Sequence, residues 1–187
     1  MKESLIILLA MVASLIFVEQ AFSEVFEVNG KSYILEKMVS YYQTTFNSKN
    51  KARTTNIRIA RKSINGLIIE PGEVISFNEL VGPRTKEAGF LEAGSYANGK
   101  KVTSVGGGIC QLASTWSAAT LKMNLKIIER HRHSLPVSYI SPEKEATVAY
   151  GIKDFKFQNT FNYILYVKCF IKNGNHLYVE YWKCKEI

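Results

Sequence analysis

The sequence predicts an α+β fold, in which a mostly antiparallel sheet packs against a central helix that follows a glycine-rich loop. Short apolar runs separated by Gly, Pro and Asn outnumber the helical patterns, which favours antiparallel strands. One long stretch, Val105 to Asn124, repeats apolar residues at helical spacing: Leu112, Trp116, Ala119 and Met123. A second, shorter helix is expected nearer the N-terminus.

In the N-terminal half, turn residues divide the chain into short elements. Asn29-Gly30 and Pro71-Gly72 predict turns, and Thr55 and Gly66 are suited to the two ends of a helix. The predicted elements are a hairpin or extended lead-in over 26–35, a strand or helical turn over 36–42, a loop over 47–53, a helix over 56–65, strands over 67–69 and 74–77, and a long surface loop with short extended pieces over 78–104.

The C-terminal half begins with the central helix, which Cys110 opens. Ser114, Ser117 and Lys122 lie off its apolar face, so this helix is predicted to be amphipathic. Beyond it we predict a strand, a bend at Pro136 and a second strand over 125–140, a strand over 147–151, a polar turn region over 154–159 and a terminal β-hairpin over 163–183.

The first 23 residues have the anatomy of a secretory signal peptide. Lys2 supplies a positive start, 5–18 are apolar, and 21–23 form the small-x-small pattern of a cleavage site. Because Glu19 and Gln20 keep the apolar stretch below the ~20 residues of a spanning helix, cleavage is favoured over a retained membrane anchor. We therefore predict an exported protein, extracellular or associated with the cell envelope, with a single domain over 24–187.

The chain is basic, with 24 Lys and Arg against 16 Asp and Glu and a formal net charge of +8. An exported basic protein meets anionic wall polymers and lipid head groups, although a charge away from zero also favours solubility. We expect an anionic wall component as partner, no nucleic acid, and membrane contact only through an uncleaved N-terminus.

Three cysteines leave at least one thiol unpaired within the chain. If Asn173-Gly174 forms a two-residue turn, Cys169 faces Tyr178, and Cys184 lies six residues farther along the second strand. That offset is ~20 Å at strand rise, whereas a disulfide tolerates a Cα separation of only ~7 Å. A regular hairpin therefore argues against a bond between Cys169 and Cys184.

Cys110 is the candidate nucleophile, because it follows Gly106, Gly107 and Gly108 at the start of a helix. Unpaired N–H groups and the positive end of the helix dipole favour a thiolate there, and glycines allow the backbone to approach a bound group. The alternative is a buried thiol that acts only as a small apolar residue.

A cysteine nucleophile needs a base and a group that orients the base. His131 and His133 alternate along one predicted strand face, which places both on the same side. The candidate partners of Cys110 are the bases His131 and His133, the acids Glu145 and Asp154, the orienting amide Asn159 and, for an oxyanion hole, Gln111 with the N–H groups from Gly108 onward.

Two further interpretations compete with catalysis. His131, His133 and Cys110 could bind zinc, but no C-x-x-C pair is present, so we predict neither a metal nor a cofactor. The histidines could also be structural or solvated. Arg84, beside the Gly82-Pro83 turn, is predicted to bind an anion with two parallel hydrogen bonds.

Several motifs together resemble the VanW family of exported bacterial proteins, with similarity from about 41 to 159. They are PGEVISFNELVGPRTKEAGF (71–90), VGGGICQLAST (105–115), IIERHRHSLPVSY (127–139) and EATVAYGIKDFKFQN (145–159). The residues that fall on the family motif are Gly106, Gly107, Gly108, Cys110, Gln111, His133 and Asn159. The resemblance implies a cell-envelope setting and occurrence in some glycopeptide-resistance gene clusters. One departure is Glu145, where the family usually has aspartate after a glycine-containing turn.

The function predicted from these observations is binding of, or action on, peptidoglycan or its precursors. The specific form is cysteine-dependent acyl or peptidyl transfer with Cys110 as nucleophile and His133 as base, with a link to glycopeptide resistance. The alternatives are a non-catalytic peptidoglycan-binding module and a zinc-dependent hydrolase.

Overall fold

The computed structural model describes residues 24–97 and 99–187, so the predicted signal peptide over 1–23 lies outside the described residues. The predicted α+β class is confirmed: antiparallel sheets surround a central helix. The helices are α1 (Lys51–Lys62), α2 (Phe77–Val81) and α3 (Ile109–Leu121). The strands are β1 (Val25–Val28), β2 (Lys31–Thr45), β3 (Leu67–Ile69), β4 (Val74–Ser76), β5 (Glu92–Ala97), β6 (Lys100–Val105), β7 (Lys126–Glu129), β8 (Lys156–Gln158), β9 (Ile164–Lys172) and β10 (His176–Glu186).

The largest sheet has five antiparallel strands in the order β1-β2-β10-β9-β3. Strand β2 is long and irregular, since its register against β10 shifts twice, at Tyr181/Trp182 and at Lys183/Cys184. Each bulge adds a residue and strengthens the local twist. The same strand can therefore bury Tyr33 and Leu35 in one apolar cluster and pack Val39 and Tyr42 against another.

The terminal hairpin forms as predicted, but its register differs by one residue. His176 pairs with Lys172, so three residues make the turn and Cys169 faces Val179 rather than Tyr178. Cys169 lies in the main core and Cys184 in the smaller cluster, and both thiols are free, as is Cys110. The predicted obstacle to a disulfide between Cys169 and Cys184 is confirmed by this separation.

A three-stranded sheet, in the order β4-β8-β7, covers the other side of the central helix. Its middle strand β8 occupies part of the region predicted as a polar turn, so that prediction was wrong. Phe155 and Phe157 alternate with charged and polar neighbours and are fully buried against Trp116, with ring centroids 6.1 and 5.3 Å from it. The sequence signal for this strand was weak, because only two apolar side chains stand in a short polar run, although both are fully buried.

The central helix α3 lies between these two sheets and is buried on nearly every side. The prediction of an amphipathic helix was wrong, because Ser114 and Ser117 are both 0% exposed. Hydroxyl groups form hydrogen bonds within the helix or between the helix and the sheet. Thr115 donates to the carbonyl of Gln111, and Ser40 of β2 donates to that of Ala119. The buried polar side chains of this helix therefore include hydrogen-bonded hydroxyls and also Ser117, whose Oγ has no hydrogen-bond partner among the described residues.

Three element boundaries also differ from the prediction. Helix α1 begins at Lys51 because Asn50, rather than Thr55, accepts the capping hydrogen bond, from the N–H of Arg53. The predicted loop over 78–104 contains most of α2 and the hairpin β5–β6. Of the strands predicted over 125–140 and 147–151, only β7 forms, and between β7 and β8 the chain makes only isolated bridges, such as that between His131 and Thr147. Among the described residues, no helix has the length and apolar character needed to cross a membrane.

Candidate functional site

The three glycines before α3 form a tight turn, and at each of them a different neighbouring group packs closely against the backbone. Gly106 and Gly108 have φ of +84° and +106°, a conformation that L side chains rarely adopt. A Cβ at Gly106 would lie 2.9 Å from Cβ of Arg84, and one at Gly108 would lie 2.6 Å from Cγ of Arg53. The turn therefore packs between the stems of two arginines.

Gly107, the middle residue, fits against the backbone of strand β5. A Cβ there would lie 2.3 Å from the carbonyl oxygen of Ala93, which is far inside van der Waals contact. Its own carbonyl accepts a hydrogen bond from the buried side chain of Asn56 in α1. The turn is thus held between helix α1 and the hairpin β5–β6.

Cys110 lies in the first turn of α3 and lines a cavity of about 590 Å³. The N–H of Val148 donates to its Sγ at 3.5 Å, and the hydroxyl of Thr147 lies at the same distance. Cys110 as a residue is partly exposed and lines the cavity, so a molecule there can contact it. The N–H groups of Ile109 and Gln111 already donate to the carbonyls of Gly106 and Gly108, which leaves the N–H of Cys110 as the backbone donor among the first three residues of the helix.

His133 and Glu145 form a buried pair beside the thiol. Nδ1 of His133 lies 2.7 Å from Oε2 of Glu145, and the two side chains are only 4% and 5% exposed. The backbone N–H of His133 also donates to Oε1 of Glu145. Because Nδ1 is engaged, Nε2 is the ring nitrogen left for the cavity, where it lies 3.3 Å from the hydroxyl of Tyr139.

The electrostatics favour a thiolate and an imidazolium. Burial alone would raise the pKa of Cys110, but the nearby imidazole of His133, the hydrogen bonds with Thr147 and the Val148 N–H, and the charge of His133 bring that pKa below its usual value. Burial likewise opposes protonation of His133, but its contacts with Cys110 and then Glu145 raise the pKa of the imidazole. The two shifts together act in the direction of a thiolate–imidazolium pair.

Glu145 is positioned by its backbone neighbours. Ser114 of α3 donates to the carbonyl of Ala146 at 3.1 Å and accepts from the N–H of Ala146 at 3.0 Å, so its hydroxyl clamps this segment onto the helix. Arg130 donates to the carbonyl of Glu145 at 2.8 Å. These bonds hold the longer glutamate side chain in reach of His133.

Gln111 lines the cavity, but its amide is already engaged. Nε2 donates to the hydroxyl of Thr44 and to the carbonyl of Thr45, while Oε1 accepts from Nη2 of Arg53 at 2.8 Å. Both amide hydrogens are therefore committed to the protein. The role that the sequence indicated for the Gln111 side chain, donation to an oxyanion, would require this network to break.

Tyr139 is the residue that the sequence reasoning missed. Its ring meets that of His133 edge to face at 6.3 Å, and the guanidinium of Arg53 lies 5.9 Å from its centroid. Burial, followed by the charge of Cys110, raises the pKa of Tyr139, so its hydroxyl stays protonated and can donate. Its position six residues after His133 in the same motif was the available signal.

Other predicted site residues lie elsewhere. His131 pairs with Glu129 at 2.9 Å and does not line the Cys110 cavity. Asn159 is 0% exposed and donates to the carbonyls of Ile69, Glu70 and Tyr163, so it braces the ends of strands. Asp154, the alternative acid, accepts from Ser76 and the Asn78 N–H at the start of α2.

A metal centre finds no support in the described ranges 24–97 and 99–187. No group of three or more His, Cys, Asp or Glu side chains there is arranged to hold a metal ion. His131 and His133 each pair with a separate carboxylate instead of converging with Cys110. The residues present do not fit a zinc site.

Comparison with known proteins gives one family match and two curated relatives. The family model described as "VanW like protein" matches residues 52–182. The chain is 36% identical over 150 residues to an uncharacterized protein, YoaR, of Bacillus subtilis (strain 168), covering 80% of this chain and 50% of that protein. It is also 36% identical over 109 residues to the vancomycin B-type resistance protein VanW of Enterococcus faecalis (strain ATCC 700802 / V583), covering 56% of this chain and 40% of that protein. The chain thus spans half or less of these relatives, and no solved structure matches it.

Proposed function

This chain belongs to the VanW-like protein family, and from that premise and the Cys110 cavity we propose a cysteine-dependent acyl transferase that acts on peptidoglycan peptides. One observation carries the proposal: the thiol of a partly exposed cysteine, with a lowered pKa, stands beside an imidazole that is itself held by a buried carboxylate. Nucleophile, base and orienting group are the three parts that covalent catalysis requires.

The proposed reaction has two steps. The Cys110 thiolate attacks the carbonyl carbon of a peptide bond, the C–N bond breaks, and the imidazolium of His133 gives its proton to the departing amine. The resulting thioester is then attacked by a second amine, whose proton passes to His133, and the thiolate leaves. Water in place of the amine gives hydrolysis. Glu145 acts as a positioning residue, since it holds the imidazole through Nδ1.

Negative charge on the carbonyl oxygen would be stabilised by donors already in the cavity. The N–H of Cys110 supplies one donor, since those of Ile109 and Gln111 already donate to the carbonyls of Gly106 and Gly108, and the protonated hydroxyl of Tyr139 supplies another next to Nε2 of His133. Because the amide of Gln111 is committed elsewhere, Tyr139 takes the part that Gln111 was expected to play.

The proposed setting is the cell envelope, with a link to glycopeptide resistance. One relative is named as a vancomycin B-type resistance protein, which supports that link. The formal net charge of +8 suits an anionic wall component, and the N-terminal sequence is that of an export signal. Membrane contact is proposed only through an uncleaved N-terminus, with no nucleic-acid partner.

The proposal is tested by incubating the protein with soluble peptidoglycan fragments and measuring its intact mass. An acyl adduct on Cys110 that disappears when an amine acceptor is added, with formation of a new amide product, is the expected result. Cys110→Ala should give neither adduct nor product, while the matched Cys184→Ala, on a face of the sheet away from the cavity, should give both. Full product formation by a folded Cys110→Ala protein would exclude the mechanism.

A second candidate is the non-catalytic binding module, which the unpaired guanidinium of Arg84 in the same cavity favours. This alternative predicts that wall fragments bind to wild type and to Cys110→Ala equally, with no adduct in either. Slow reaction of Cys110 with iodoacetamide at neutral pH would also support it, because a binding module has no need of a thiolate.

A further inference from the structure

The Cys110 cavity contains a buried positive charge with no partner. Nη1 and Nη2 of Arg84 are inaccessible to solvent and have no hydrogen-bond partner among the described residues. Burial of an ionised group without a compensating partner costs free energy. Such groups in proteins are therefore paired within the protein or pair with a bound ligand. The stem of Arg84 packs against Gly106, which fixes its path into the cavity.

Two aromatic rings lie close to this guanidinium. Its central carbon lies 5.5 Å from the ring centroid of Phe77 and 5.8 Å from that of Tyr150. Burial lowers the pKa of Arg84, and the negative charges of Cys110 and Asp154 act in the opposite direction. The group remains charged, because arginine does not lose its proton in proteins.

We propose that Arg84 binds a carboxylate of the acyl donor, and that the cavity thereby selects donors with a free carboxylate close to the carbonyl attacked by Cys110. The two terminal nitrogens form a fork that matches the two oxygens of a carboxylate in one plane. This inference rests on the proposed function only in identifying the ligand as the acyl donor. Binding of the carboxylate itself does not require catalysis.

A carboxylate fits the surroundings better than a phosphate does. The rings of Phe77 and Tyr150, rather than further cations, lie closest to the guanidinium carbon. A tetrahedral phosphate presents three oxygens and needs donors in more directions than one fork supplies. Apart from the imidazolium of His133, the other cations that line the cavity are Lys153 and Arg53, and Arg53 is engaged with Gln111.

The first test compares two alkylating reagents that differ only in charge. Iodoacetate carries a carboxylate and iodoacetamide is neutral, and both modify the same thiol. We expect the rate ratio of iodoacetate to iodoacetamide at Cys110 to exceed that of a free cysteine peptide, and to fall roughly tenfold in Arg84→Gln, the effect of one charge-assisted hydrogen bond. Lys86→Gln, an exposed charge two residues away, is the matched control and should leave the ratio unchanged.

The second test does not need a reactive thiol. In Cys110→Ala, N-acetylalanine should raise the thermal midpoint, N-acetylalaninamide, which lacks the carboxylate, should not, and Arg84→Gln in this background should abolish the rise. If inorganic phosphate raises the midpoint through Arg84 and N-acetylalanine does not, the carboxylate assignment is wrong. If neither anion gives an Arg84-dependent rise, the inference is overturned.

The two proposals fail in different ways. An inert Cys110 that coexists with an Arg84-dependent rise in the thermal midpoint would reject the transferase and retain the carboxylate site. A reactive Cys110 that forms acyl adducts equally well in wild type and Arg84→Gln would retain the transferase and reject the carboxylate site.

Discussion

Replacing His133 by Gln is expected to slow alkylation of Cys110 at neutral pH by roughly 10- to 150-fold. The imidazolium supplies a hydrogen bond and a positive charge to the thiolate, while burial, which disfavours the thiolate, remains after the substitution. A hydrogen bond to a charged group contributes about 1.5–3 kcal/mol, and each ~1.4 kcal/mol corresponds to a factor of ten. Because the imidazole stabilises the thiolate, its removal raises the pKa of Cys110 and moves the midpoint of the pH–rate profile upward.

The assay measures the rate of iodoacetamide modification by intact mass spectrometry across pH 5–9. His131→Gln is the matched control. It makes the same substitution two residues earlier in the chain, at a histidine that pairs with Glu129 and does not line the cavity. Circular dichroism establishes that both variants are folded. If His133→Gln reacts as fast as His131→Gln with the same midpoint, His133 does not stabilise the thiolate and the ion-pair reasoning is wrong.

Three further substitutions separate packing from chemistry. Gly107→Ala should lower the free energy of unfolding by about 3 kcal/mol or more, because its Cβ would overlap a backbone carbonyl of β5. Gly94→Ala is the control and should change the free energy of unfolding by less than about 1 kcal/mol, because a Cβ there meets nothing within 4 Å. Ser114→Ala should lower the free energy of unfolding by about 1–3 kcal/mol and also slow alkylation, since Ala146 loses both bonds that hold the segment bearing the acid. Asn159→Ala should lower it by about 2–3 kcal/mol with the alkylation rate unchanged, since three backbone carbonyls lose their donor far from the cavity.

Urea denaturation monitored by tryptophan fluorescence measures the stabilities, and the iodoacetamide assay measures the thiol. Equal effects of Gly107→Ala and Gly94→Ala would contradict the close approach at Gly107. Normal alkylation in a destabilised Ser114→Ala would mean that the clamp on Ala146 does not position the acid, and slow alkylation in Asn159→Ala would assign that amide to the site.

The sequence allowed prediction of the fold class and of the local pattern around Cys110, because both depend on short-range signals. Glycine, proline and asparagine mark turns wherever they occur, and the apolar period of α3 is visible without its partners. His133 and Glu145 were named from residue type and order alone. The 2.7 Å contact between Nδ1 of His133 and Oε2 of Glu145 belongs to the tertiary structure. It depends on Ser114 and could not be predicted from their spacing in the sequence.

What could not be predicted depends on contacts between distant segments. Ser114 and Ser117 look exposed in a helical projection, but two sheets cover the helix and bury both. His131 and His133 look equivalent on an alternating strand, but the strand ends at Glu129, and each imidazole finds a different carboxylate. Tyr139 and Arg53 enter the cavity from segments that share no local pattern with Cys110.

The placement of the three thiols makes the chain a reporter of its own folding. Burial raises the pKa of Cys169 to about 12 and that of Cys184 to about 11, so both thiols become less reactive as the native state forms. Cys110 changes in the opposite direction, since its pKa is lowered only when His133 and Val148 reach it. Pulsed alkylation during refolding would therefore time three events separately: closure of the main core, closure of the cluster on the other face of the sheet, and assembly of the cavity.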